Sequence, residues 1–389
     1  MICWHCQQQS CCLATCLNRA GRGLLRARRE GIFVKMRAAR MHGYHQPLRL
    51  EEIEVPRFGP TEVLIKVAAA GMCRSDFQLV DGYFEAGFPL SFPITPGHEV
   101  AGRVDAVGAD VPASSGLAEG TRVVVNPNWG DGRCRQCREG NEQLCADGQL
   151  AGFGPPGGFA EYMPVQYRHV IPVPEQDGHA PQTQAPLTDA GLTPYRGMKK
   201  LLAAGKLGAG RTLVVNGIGG LGGYGVQYAR LLGGGATVVA FARNDDKLAV
   251  ARENGAHYTV NTRDKTAEQV QNELQDLTGR REVDAVLDCA GAKESLELGF
   301  SILAREGALT CVGLIGQSAQ VPVFPFVSGE KSFSGSFWGN HNDLTEVLAL
   351  AGQGLIKHHI IPVDFDDIND NLEALGRGDM VGRAVLVFD

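Results

Sequence analysis

The segment between residues 212 and 232 restricts the fold more than any other part of this 389-residue chain. Its apolar run Thr212–Asn216 is typical of a buried strand, and residues 223–232 have helical spacing. The loop between them satisfies the pattern G-x-G-x-x-G with Gly217, Ile218, Gly219, Gly220, Leu221 and Gly222. Between a strand and a helix, the first glycine makes a tight turn, the second lets the backbone approach a pyrophosphate, and the third lets the helix pack closely. Because the helix N-terminus then presents unpaired N–H groups to phosphates, the segment predicts a dinucleotide site, with a glycine turn that binds nothing as the alternative.

Strands and helices alternate from residue 192 to residue 326. The predicted strands are Thr212–Asn216, Thr237–Phe241, Val283–Cys289 and Ala308–Val312, and the predicted helices are 246–254, 267–277 and 293–304. Such alternation implies parallel pairing and a doubly wound α/β sheet. Residues 36–191 instead contain short strands separated by turns rich in Pro and Gly, and residues 327–389 return to strands with two short helices. We therefore predict a β-rich domain, formed by residues 36–191 and 327–389, that a nucleotide-binding domain interrupts.

The end of the second strand decides which nucleotide fits. Dinucleotide sites for NAD usually place an acidic residue there for the ribose 2′-OH, whereas an arginine nearby suits a 2′-phosphate. Here Ala242 stands at the acidic position and Arg243 follows it. The pattern favours NADP over NAD, although Asp245 and Asp246 are close enough in sequence to reach a ribose.

A thiol and an imidazole define a second candidate site. Cys73 lies in the segment Gly71–Asp76, and His98 lies in the segment Gly97–Glu99. A divalent metal such as zinc binds thiolate and imidazole ligands, and Asp189 is our candidate for the third ligand. Three protein ligands leave one position open for water or substrate, as in catalytic zinc sites. The alternative is that Cys73 is a small buried hydrophobe and His98 an ordinary core histidine.

A third candidate site is compact in sequence. Asp131, Cys134, Cys137 and Cys145 have the spacing D-x2-C-x2-C-x7-C. Four ligands make a closed site of the structural kind, and a carboxylate ligand is ordinary zinc chemistry. We predict a structural zinc ion here, the alternative being a loop with three free cysteines.

Charge and cysteine usage restrict the partners and the compartment. Residues 1–35 hold six Lys/Arg and one acid, so residues 36–389 carry a formal charge of −11 within a total of −6. A body this acidic is a poor partner for nucleic acid or an anionic membrane, and no apolar run predicts a transmembrane helix. The eleven cysteines have an odd count and a metal-like spacing, which favours a reducing, intracellular compartment over a disulfide framework.

Residues 1–35 do not fit either domain. They hold five of the cysteines, and their arginines resemble those of a transit peptide. The run Cys3-Trp4-His5-Cys6 could in principle bind a metal. We predict a disordered tail, or residues upstream of a true start at Met36.

Together, these motifs resemble those of the zinc-dependent medium-chain alcohol dehydrogenases, over essentially all of residues 36–389. The family pattern has a G-x-C-x-[ST]-D start, a G-H-E segment, a four-ligand zinc lobe, a G-x-G-G-L-G loop and a terminal G-R-x-V run. It is matched by Gly71–Asp76, Gly97–Glu99, Asp131–Cys145, Gly217–Gly222 and Gly382–Val385. The resemblance implies a GroES-like catalytic domain interrupted by a Rossmann domain. It also implies hydride transfer between a primary or secondary alcohol, or its aldehyde or ketone, and NAD(P).

The resemblance implies a role for each matching residue. Cys73, His98 and Asp189 would hold the catalytic zinc, with Glu99 a nearby carboxylate able to approach the metal. Asp76 would orient the His98 ring, and Ser75 would take the proton of the alcohol. The residues implied in nucleotide binding are Arg74 and Arg383 at the pyrophosphate and Thr193, Val312, Gly313 and Leu314 at the nicotinamide.

Two positions depart from the family pattern. Gln78 stands where many members carry a histidine that passes the proton to solvent, so the proton path stays open. Asp131 stands where most members have cysteine.

The substrate and the assembly are predicted only as classes. Trp129, Tyr83 and Phe84 could shape an apolar pocket, and few extra polar groups flank the site motifs in the sequence. This favours a simple alcohol over a sugar or polyol, while a non-catalytic nucleotide-binding relative is the other alternative. We expect a cytoplasmic homodimer or homotetramer.

Overall fold

The computed structural model describes residues 34–87, 89–175 and 180–388. The strands in this part of the chain are β1 (Lys35–Arg40), β2 (Arg49–Glu54), β3 (Glu62–Gly71), β4 (Glu99–Val107), β5 (Arg122–Val125), β6 (Asn128–Trp129), β7 (Gln149–Leu150), β8 (Tyr162–Gln166), β9 (Val170–Pro172), β10 (Thr212–Asn216), β11 (Thr237–Ala242), β12 (Tyr258–Asn261), β13 (Val283–Asp288), β14 (Leu303–Cys311), β15 (Ser332–Gly335), β16 (Ile360–Val363) and β17 (Arg383–Val387). The α-helices are α1 (Arg74–Val80), α2 (Arg135–Arg138), α3 (Pro181–Gln184), α4 (Leu192–Ala203), α5 (Gly220–Leu232), α6 (Asp245–Glu253), α7 (Ala267–Thr278), α8 (Lys293–Ile302), α9 (Val323–Ser328), α10 (His341–Gly352) and α11 (Ile368–Arg377).

A parallel sheet forms the nucleotide-binding half of the molecule. Its strand order is β12-β11-β10-β13-β14-β15, and every neighbouring pair is parallel. All residues of β10 and β13 are buried, because helices cover both faces of the sheet. The predicted doubly wound sheet is thus confirmed, and the chain reverses its winding direction between β10 and β13. Ligands of such sheets bind outside the carboxyl ends of the strands at this reversal.

An antiparallel sheet forms the other half and delivers the candidate metal ligands to one edge. Its strand order is β16-β17-β3-β4-β5-β9, with β8 also paired to β3. Gly71 at the end of β3 is the register partner of Glu99 at the start of β4 and of Val385 in β17. The residues that follow β3, precede β4 and begin β17 therefore lie side by side. They are Cys73, His98 and Arg383.

Two short edge strands were not anticipated from the sequence. β12 has one fully buried residue, Val260, and β15 (Ser-Phe-Ser-Gly) is mostly exposed, so neither shows the apolar run of a buried strand. They form because β11 and β14 present unpaired backbone groups at the two sides of the sheet. β15 also lies past the boundary predicted at residue 326, so the parallel sheet extends further along the chain than expected. β14 begins at Leu303, where the eighth helix was predicted to continue.

The remaining expectations concern membranes and the tail. Among the residues that the structure describes, no helix is long and apolar enough to cross a membrane. The tail prediction for residues 1–35, including Cys3 to Cys6, lies outside the described residues except at its end, where β1 begins at Lys35.

Candidate active site and metal centres

The three predicted ligands of the catalytic zinc converge at the edge of the antiparallel sheet. Cys73 and His98 leave adjacent strands at that edge. Asp189 follows a short 3-10 turn that packs against β4. One ligand atom from each of the three residues lies within 4.8 Å of the other two, and all three residues are buried.

Asp76 on α1 holds two members of this cluster, Cys73 and His98, in place. Its Oδ1 lies 3.1 Å from Nδ1 of His98, and its Oδ2 accepts a hydrogen bond from the backbone N–H of Cys73 at 2.8 Å. With Nδ1 engaged, Nε2 of His98 faces Oδ2 of Asp189 at 3.3 Å. A carboxylate that bonds one ring nitrogen fixes the imidazole so that the other nitrogen can ligate a metal.

The charges around the cluster favour a cation at its centre. Burial disfavours the imidazolium of His98, but the charge of Asp76 and hydrogen bonds to both aspartates raise its pKa well above 6.5. Burial likewise disfavours ionised Asp189, but contacts with His98 and Arg383 and a 2.8 Å hydrogen bond from Thr193 hold its pKa below the usual 3.8. A thiol, an imidazole and an ionised carboxylate in this setting suit zinc. Thr193 bonds Asp189 of the cluster, and its implied contact with the nicotinamide stays a prediction.

Glu99 forms a buried ion pair beside the cluster. Nε of Arg383 donates to its Oε2 at 2.9 Å, Nη2 of Arg383 donates to its Oε1, and the N–H of Ala190 donates to Oε1 at 2.8 Å. Burial raises the pKa of Glu99 to about 7, although the charge of Arg383 opposes that shift. The planar guanidinium matches the carboxylate and occupies it. Glu99 is thus bonded to Arg383 and Ala190 in this structure, and its approach to the metal stays a prediction.

Arg383 joins the metal cluster to the glycine loop. Its Nη2 donates to Oδ2 of Asp189 at 3.3 Å. A Cβ added to Gly220 would lie 2.7 Å from its Nη1. The expected clamp on the pyrophosphate stays a prediction, because the partners of this guanidinium here are Glu99 and Asp189.

The glycine loop has the conformation that its sequence predicts. Gly217 has a φ of +90°, which side chains with a Cβ rarely adopt. A Cβ on Gly222 would lie 2.1 Å from the carbonyl oxygen of Gly217, because α5 starts so close to the strand end. Apart from Gly219 and its two chain neighbours, none of the described residues has an atom within 4 Å of a Cβ built on Gly219, which leaves open space where a phosphate can approach the backbone.

Lys247 faces the loop, and Arg74 lies close to Lys247. Lys247, in the first turn of α6, lines the same cleft, and its Nζ donates to the carbonyl of Gly378 at 2.7 Å. Burial, followed by the charge of Arg74, lowers the pKa of Lys247. Arg74 donates from Nη1 to the carbonyl of Leu375 at 3.1 Å, and its buried Nε has no partner in the described part of the chain. Neighbouring cations with a spare donor favour an anion such as pyrophosphate. Lys247 was missed from the sequence, where only its place after the second strand could have indicated it.

The end of β11 presents two arginines. Arg243 is exposed, and Nε of Arg263 donates to its carbonyl oxygen at 2.8 Å. Asp245, the acidic alternative, accepts a hydrogen bond from Asn261 at 2.8 Å. Asn244 caps α6 by accepting from two backbone N–H groups. The tip of the strand therefore offers cationic side chains, while the nearer acid is already bonded.

The segment Val312–Leu314, which was predicted to line the nicotinamide, follows β14 and meets α1. Nε2 of Gln78 donates to the carbonyl of Leu314 at 2.6 Å, and the Tyr83 hydroxyl donates to the carbonyl of Gly316 at 3.0 Å. Gln78, which stands at the position of the expected relay histidine, thus bridges the two domains. Ser75 is half-buried on the same helix, two residues after Cys73.

The candidate zinc lobe, residues 131–145, is shaped by backbone hydrogen bonds. Ligand atoms of Asp131, Cys134, Cys137 and Cys145 lie within 4.8 Å of one another. Oδ1 of Asp131 accepts from the N–H groups of Cys134 at 3.0 Å and Arg133 at 2.8 Å. These two bonds hold the pKa of Asp131 well below its usual value, so the carboxylate is ionised and ready to ligate. The half-buried set of three thiols and one carboxylate fits a closed zinc site.

Arg168 and His169, called the anchor below, connect this lobe to the rest of the catalytic domain. Arg168 donates to the carbonyl groups of Gly130 at 2.6 Å and Asp131 at 3.3 Å. The ring of the next residue, His169, stacks on Trp129 with centroids 5.9 Å apart. Burial and then the charge of Arg168 lower the pKa of His169 to about 3, so the ring is neutral. Trp129, expected at the substrate pocket, belongs to this anchor.

Two family matches cover most of the chain. Residues 59–175 match the alcohol dehydrogenase GroES-like domain, and residues 220–353 match the zinc-binding dehydrogenase domain. A D-arabinose 1-dehydrogenase (NADP(+)) of Saccharolobus solfataricus is 35% identical over 353 residues, which cover 91% of this chain and 98% of the relative. An alcohol dehydrogenase of a Moraxella species is 35% identical over 357 residues, covering 91% and 99%. The crystal structure of the alcohol dehydrogenase of Aeropyrum pernix superposes with a TM-score of 0.83 at 36% identity, covering 90% of this chain and all of that one.

The chain belongs to the zinc-type medium-chain alcohol dehydrogenases. The GroES-like and Rossmann domains implied by the resemblance are confirmed. The protein is an oxidoreductase of the alcohol and polyol class that uses NAD(P).

Aromatic side chains pack against the metal cluster at the ring of His98. The ring of His98 lies 5.4 Å from the ring of Trp338 and 5.7 Å from that of Phe153, centroid to centroid. Phe84, an expected pocket residue, packs on Phe153 at 5.7 Å. Trp338 and Phe153 were missed, because their sequence neighbourhoods carry no motif and only the fold brings them to His98.

Proposed function

We propose that this enzyme uses a zinc ion, held by Cys73, His98 and Asp189, to interconvert an alcohol and its carbonyl compound with NADP(H). The observation that carries the proposal is the convergence of these buried ligand atoms within 4.8 Å, beside a glycine loop that Arg383 contacts. When bound, zinc supplies Lewis acidity to the substrate oxygen. The three-ligand set leaves a position for that oxygen, as in other catalytic zinc sites.

The protein groups around this position have distinct tasks. Asp76 holds the His98 ring, and the half-buried Ser75 hydroxyl takes the proton that the alcohol loses. Since the Gln78 amide does not titrate and is bonded to Leu314, the proton leaves Ser75 through the hydroxyl groups of the nucleotide ribose or through water. Arg74 and Lys247 balance the charge of the pyrophosphate at the cleft.

The second proposed zinc ion is structural. Its ligands would be Asp131, Cys134, Cys137 and Cys145. Hydrogen bonds from backbone N–H groups to Asp131 and Cys134 already hold the lobe in shape. A site closed by four protein ligands has no position for substrate. We therefore assign it to the stability of the catalytic domain.

The cofactor proposal is NADP rather than NAD. Arg243 and Arg263 together give the 2′-phosphate two cationic donors at the end of β11. In an Arg243→Ala variant, kcat/KM with NADP should fall about 10- to 100-fold, the equivalent of one or two charge-assisted hydrogen bonds. The value with NAD should change little, as it should with both nucleotides in an Arg281→Ala control. A wild-type preference for NAD would reject this part of the proposal.

We also propose a homodimer. β15 is the outer strand of the parallel sheet, and the neighbouring helix α9 exposes Val323, Phe324 and Val327 with 73%, 80% and 72% of their surfaces accessible. An unpaired strand edge beside exposed apolar side chains is typical of a protein interface. Sedimentation should give a dimer for the wild type and a monomer for Phe324→Glu. A monomeric wild type contradicts the proposal, and a tetramer extends it.

The deciding experiment measures metal content and turnover on the same preparation. Alcohols and carbonyl compounds are screened with both nicotinamides while zinc is counted per chain. Two zinc ions per chain and turnover that stops when the metal is removed and returns with added zinc are expected. Full turnover by metal-free protein would reject the proposed function.

A further inference from the structure

A cavity of about 340 Å³ lies between helix α4, the end of β14 and the edge strand β15. Its volume falls in the range of pockets that bind small organic molecules. None of the described residues that line it belongs to either candidate metal centre. The cavity is therefore a site whose ligand the two metal centres do not determine.

The charged side chains of the cavity wall are all basic. Arg196 and Lys200 line it from α4, where their spacing of four residues places them on one face of the helix. None of the described lining residues is an aspartate or a glutamate. Burial, followed by the charge of Asp288, raises the pKa of the Cys311 thiol in the wall to about 12, so this thiol stays uncharged. The wall thus carries positive charge without negative charge.

Acidic side chains of α10 neutralise most of the charge on α4 but not all of it. Asp343 accepts a hydrogen bond from Nη1 of Arg196 at 2.7 Å, and it also lies 2.8 Å from Nζ of Lys199. Glu346 accepts from Nζ of Lys199 at 2.8 Å. In the part of the chain that the structure describes, no acid lies within 4 Å of Nζ of Lys200. Three cations face two acids, so one positive charge remains at Lys200.

The ammonium group of Lys200 keeps donors for a ligand. Its Nζ donates to the carbonyl oxygen of Gly335 at 2.5 Å, and a lysine ammonium has three N–H donors. A carbonyl group is neutral, so this bond does not balance the charge. Burial, followed by the charge of Arg196, lowers the pKa of Lys200. An anion in the cavity would supply the counter-charge and accept the remaining donors.

The rest of the wall favours an apolar body on that anion. Leu144, Leu314, Phe333 and Phe337 line the same cavity, and they are 48%, 46%, 45% and 40% exposed. Large apolar side chains that remain this accessible around a concave site gain free energy when a ligand covers them. The cavity therefore combines one uncompensated positive charge with an apolar surface.

We propose that this cavity binds a small monocarboxylate with an apolar chain or ring. The carboxylate contacts Lys200, and the chain or ring packs against Leu144, Leu314, Phe333 and Phe337. A single remaining charge suits a monoanion better than a phosphate group, which carries up to two negative charges at pH 7. The inference does not rest on the proposed function, because neither the zinc ion nor the nucleotide takes part in it.

Matched pairs of ligands test the inference. Calorimetric titrations of the full-length protein at pH 7 compare benzoate with benzamide and hexanoate with hexanamide, since each amide keeps the shape of its partner without the charge. In at least one pair the carboxylate should bind about tenfold or more tightly than the amide, as one charge-assisted hydrogen bond provides. Equal affinities or no binding in both pairs would overturn the inference. Phenyl phosphate that binds more tightly than benzoate would overturn the choice of a monoanion.

Variants of Lys200 locate the carboxylate. Lys200→Gln should remove the preference for the carboxylate, whereas Lys200→Arg keeps the charge and should keep the preference. Lys66→Gln makes the same change at an exposed position of β3 and should bind both ligands as the wild type does. A preference that survives in Lys200→Gln would place the carboxylate elsewhere, such as on a zinc ion, and would reject the site.

A further variant locates the apolar body. Leu144→Ala removes part of the apolar wall and leaves Lys200 in place, so it should weaken the carboxylate and its amide by the same factor, about threefold to tenfold. Unchanged affinity for both ligands would exclude this wall from the site. Weaker binding of the carboxylate alone would contradict the assigned orientation, in which Leu144 contacts the uncharged end.

Discussion

The two candidate metal centres are built in opposite ways. The ligands of the zinc lobe lie within residues 131–145 and are half-buried, whereas those of the catalytic cluster are spread over residues 73–189 and are buried. The lobe can therefore assemble from one loop. The catalytic cluster exists only when β3, β4 and the turn before Asp189 are packed together. Its metal affinity is consequently a property of the whole domain.

The groups that hydrogen-bond the ligands also differ between the two centres. In the lobe, backbone N–H groups bond Asp131 and Cys134. In the catalytic cluster, the side chains of Asp76, Thr193 and Arg383 bond His98 and Asp189. Backbone bonds hold a fixed shape, while charged side chains also set the electrostatic environment of the metal. The contrast suits one centre for stability and the other for chemistry.

The largest expected effect follows from the substitution Cys73→Ser. A hydroxyl is a poorer zinc ligand than a thiolate, and the lost Lewis acidity of several kcal/mol should reduce kcat/KM by about a thousandfold. Zinc content should drop by one ion per chain, with the lobe ion retained. Wild-type turnover in this variant would remove the catalytic role from the cluster.

The substitution Cys134→Ser should affect stability instead. A structural zinc site contributes folding free energy, so its loss should lower the unfolding midpoint by roughly 5–10 °C. Turnover per catalytic zinc at 25 °C should stay near the wild-type value, because no lobe ligand belongs to the catalytic cluster. If turnover fell as far as in Cys73→Ser, the division of labour between the two centres would be wrong.

Asp76→Asn probes the charge beside the catalytic cluster while the side-chain shape is kept. Loss of the carboxylate that bonds His98 should weaken zinc binding at this centre about 10- to 100-fold. Titration with a competing chelator measures the affinity directly. Asp81→Asn, at the exposed end of the same helix, is the matched control and should leave it unchanged.

The smallest effect concerns the anchor of the lobe. Because the pKa of His169 is about 3 in the folded protein and 6.5 in the unfolded chain, the unfolded state binds an extra proton between these pH values. Stability should therefore fall as the pH drops, by about 1 kcal/mol from pH 7 to pH 5.5 through this residue. In His169→Gln that share of the loss should be absent. Equal slopes of unfolding free energy against pH in the two proteins would contradict the shift.

Local patterns made one part of the molecule predictable. The bounds of β10, the glycine loop and the spacing of the lobe ligands are all encoded within a few residues, so the sequence indicates them directly. Features that depend on distant pairing were missed. The Glu99–Arg383 ion pair joins residues 284 positions apart, and β12 and β15 form only against neighbouring strands.

The contacts of Gln78 and Tyr83 have a consequence for how such an enzyme diversifies. Both side chains connect the two domains by donating to backbone carbonyl groups, those of Leu314 and Gly316. Any residue at positions 314 and 316 would supply such a carbonyl group. Leu314, meanwhile, lines a cavity of about 340 Å³ and is 46% exposed. Substitutions at residue 314 can therefore change the wall of the cavity during evolution, while the hydrogen bonds between the domains are kept.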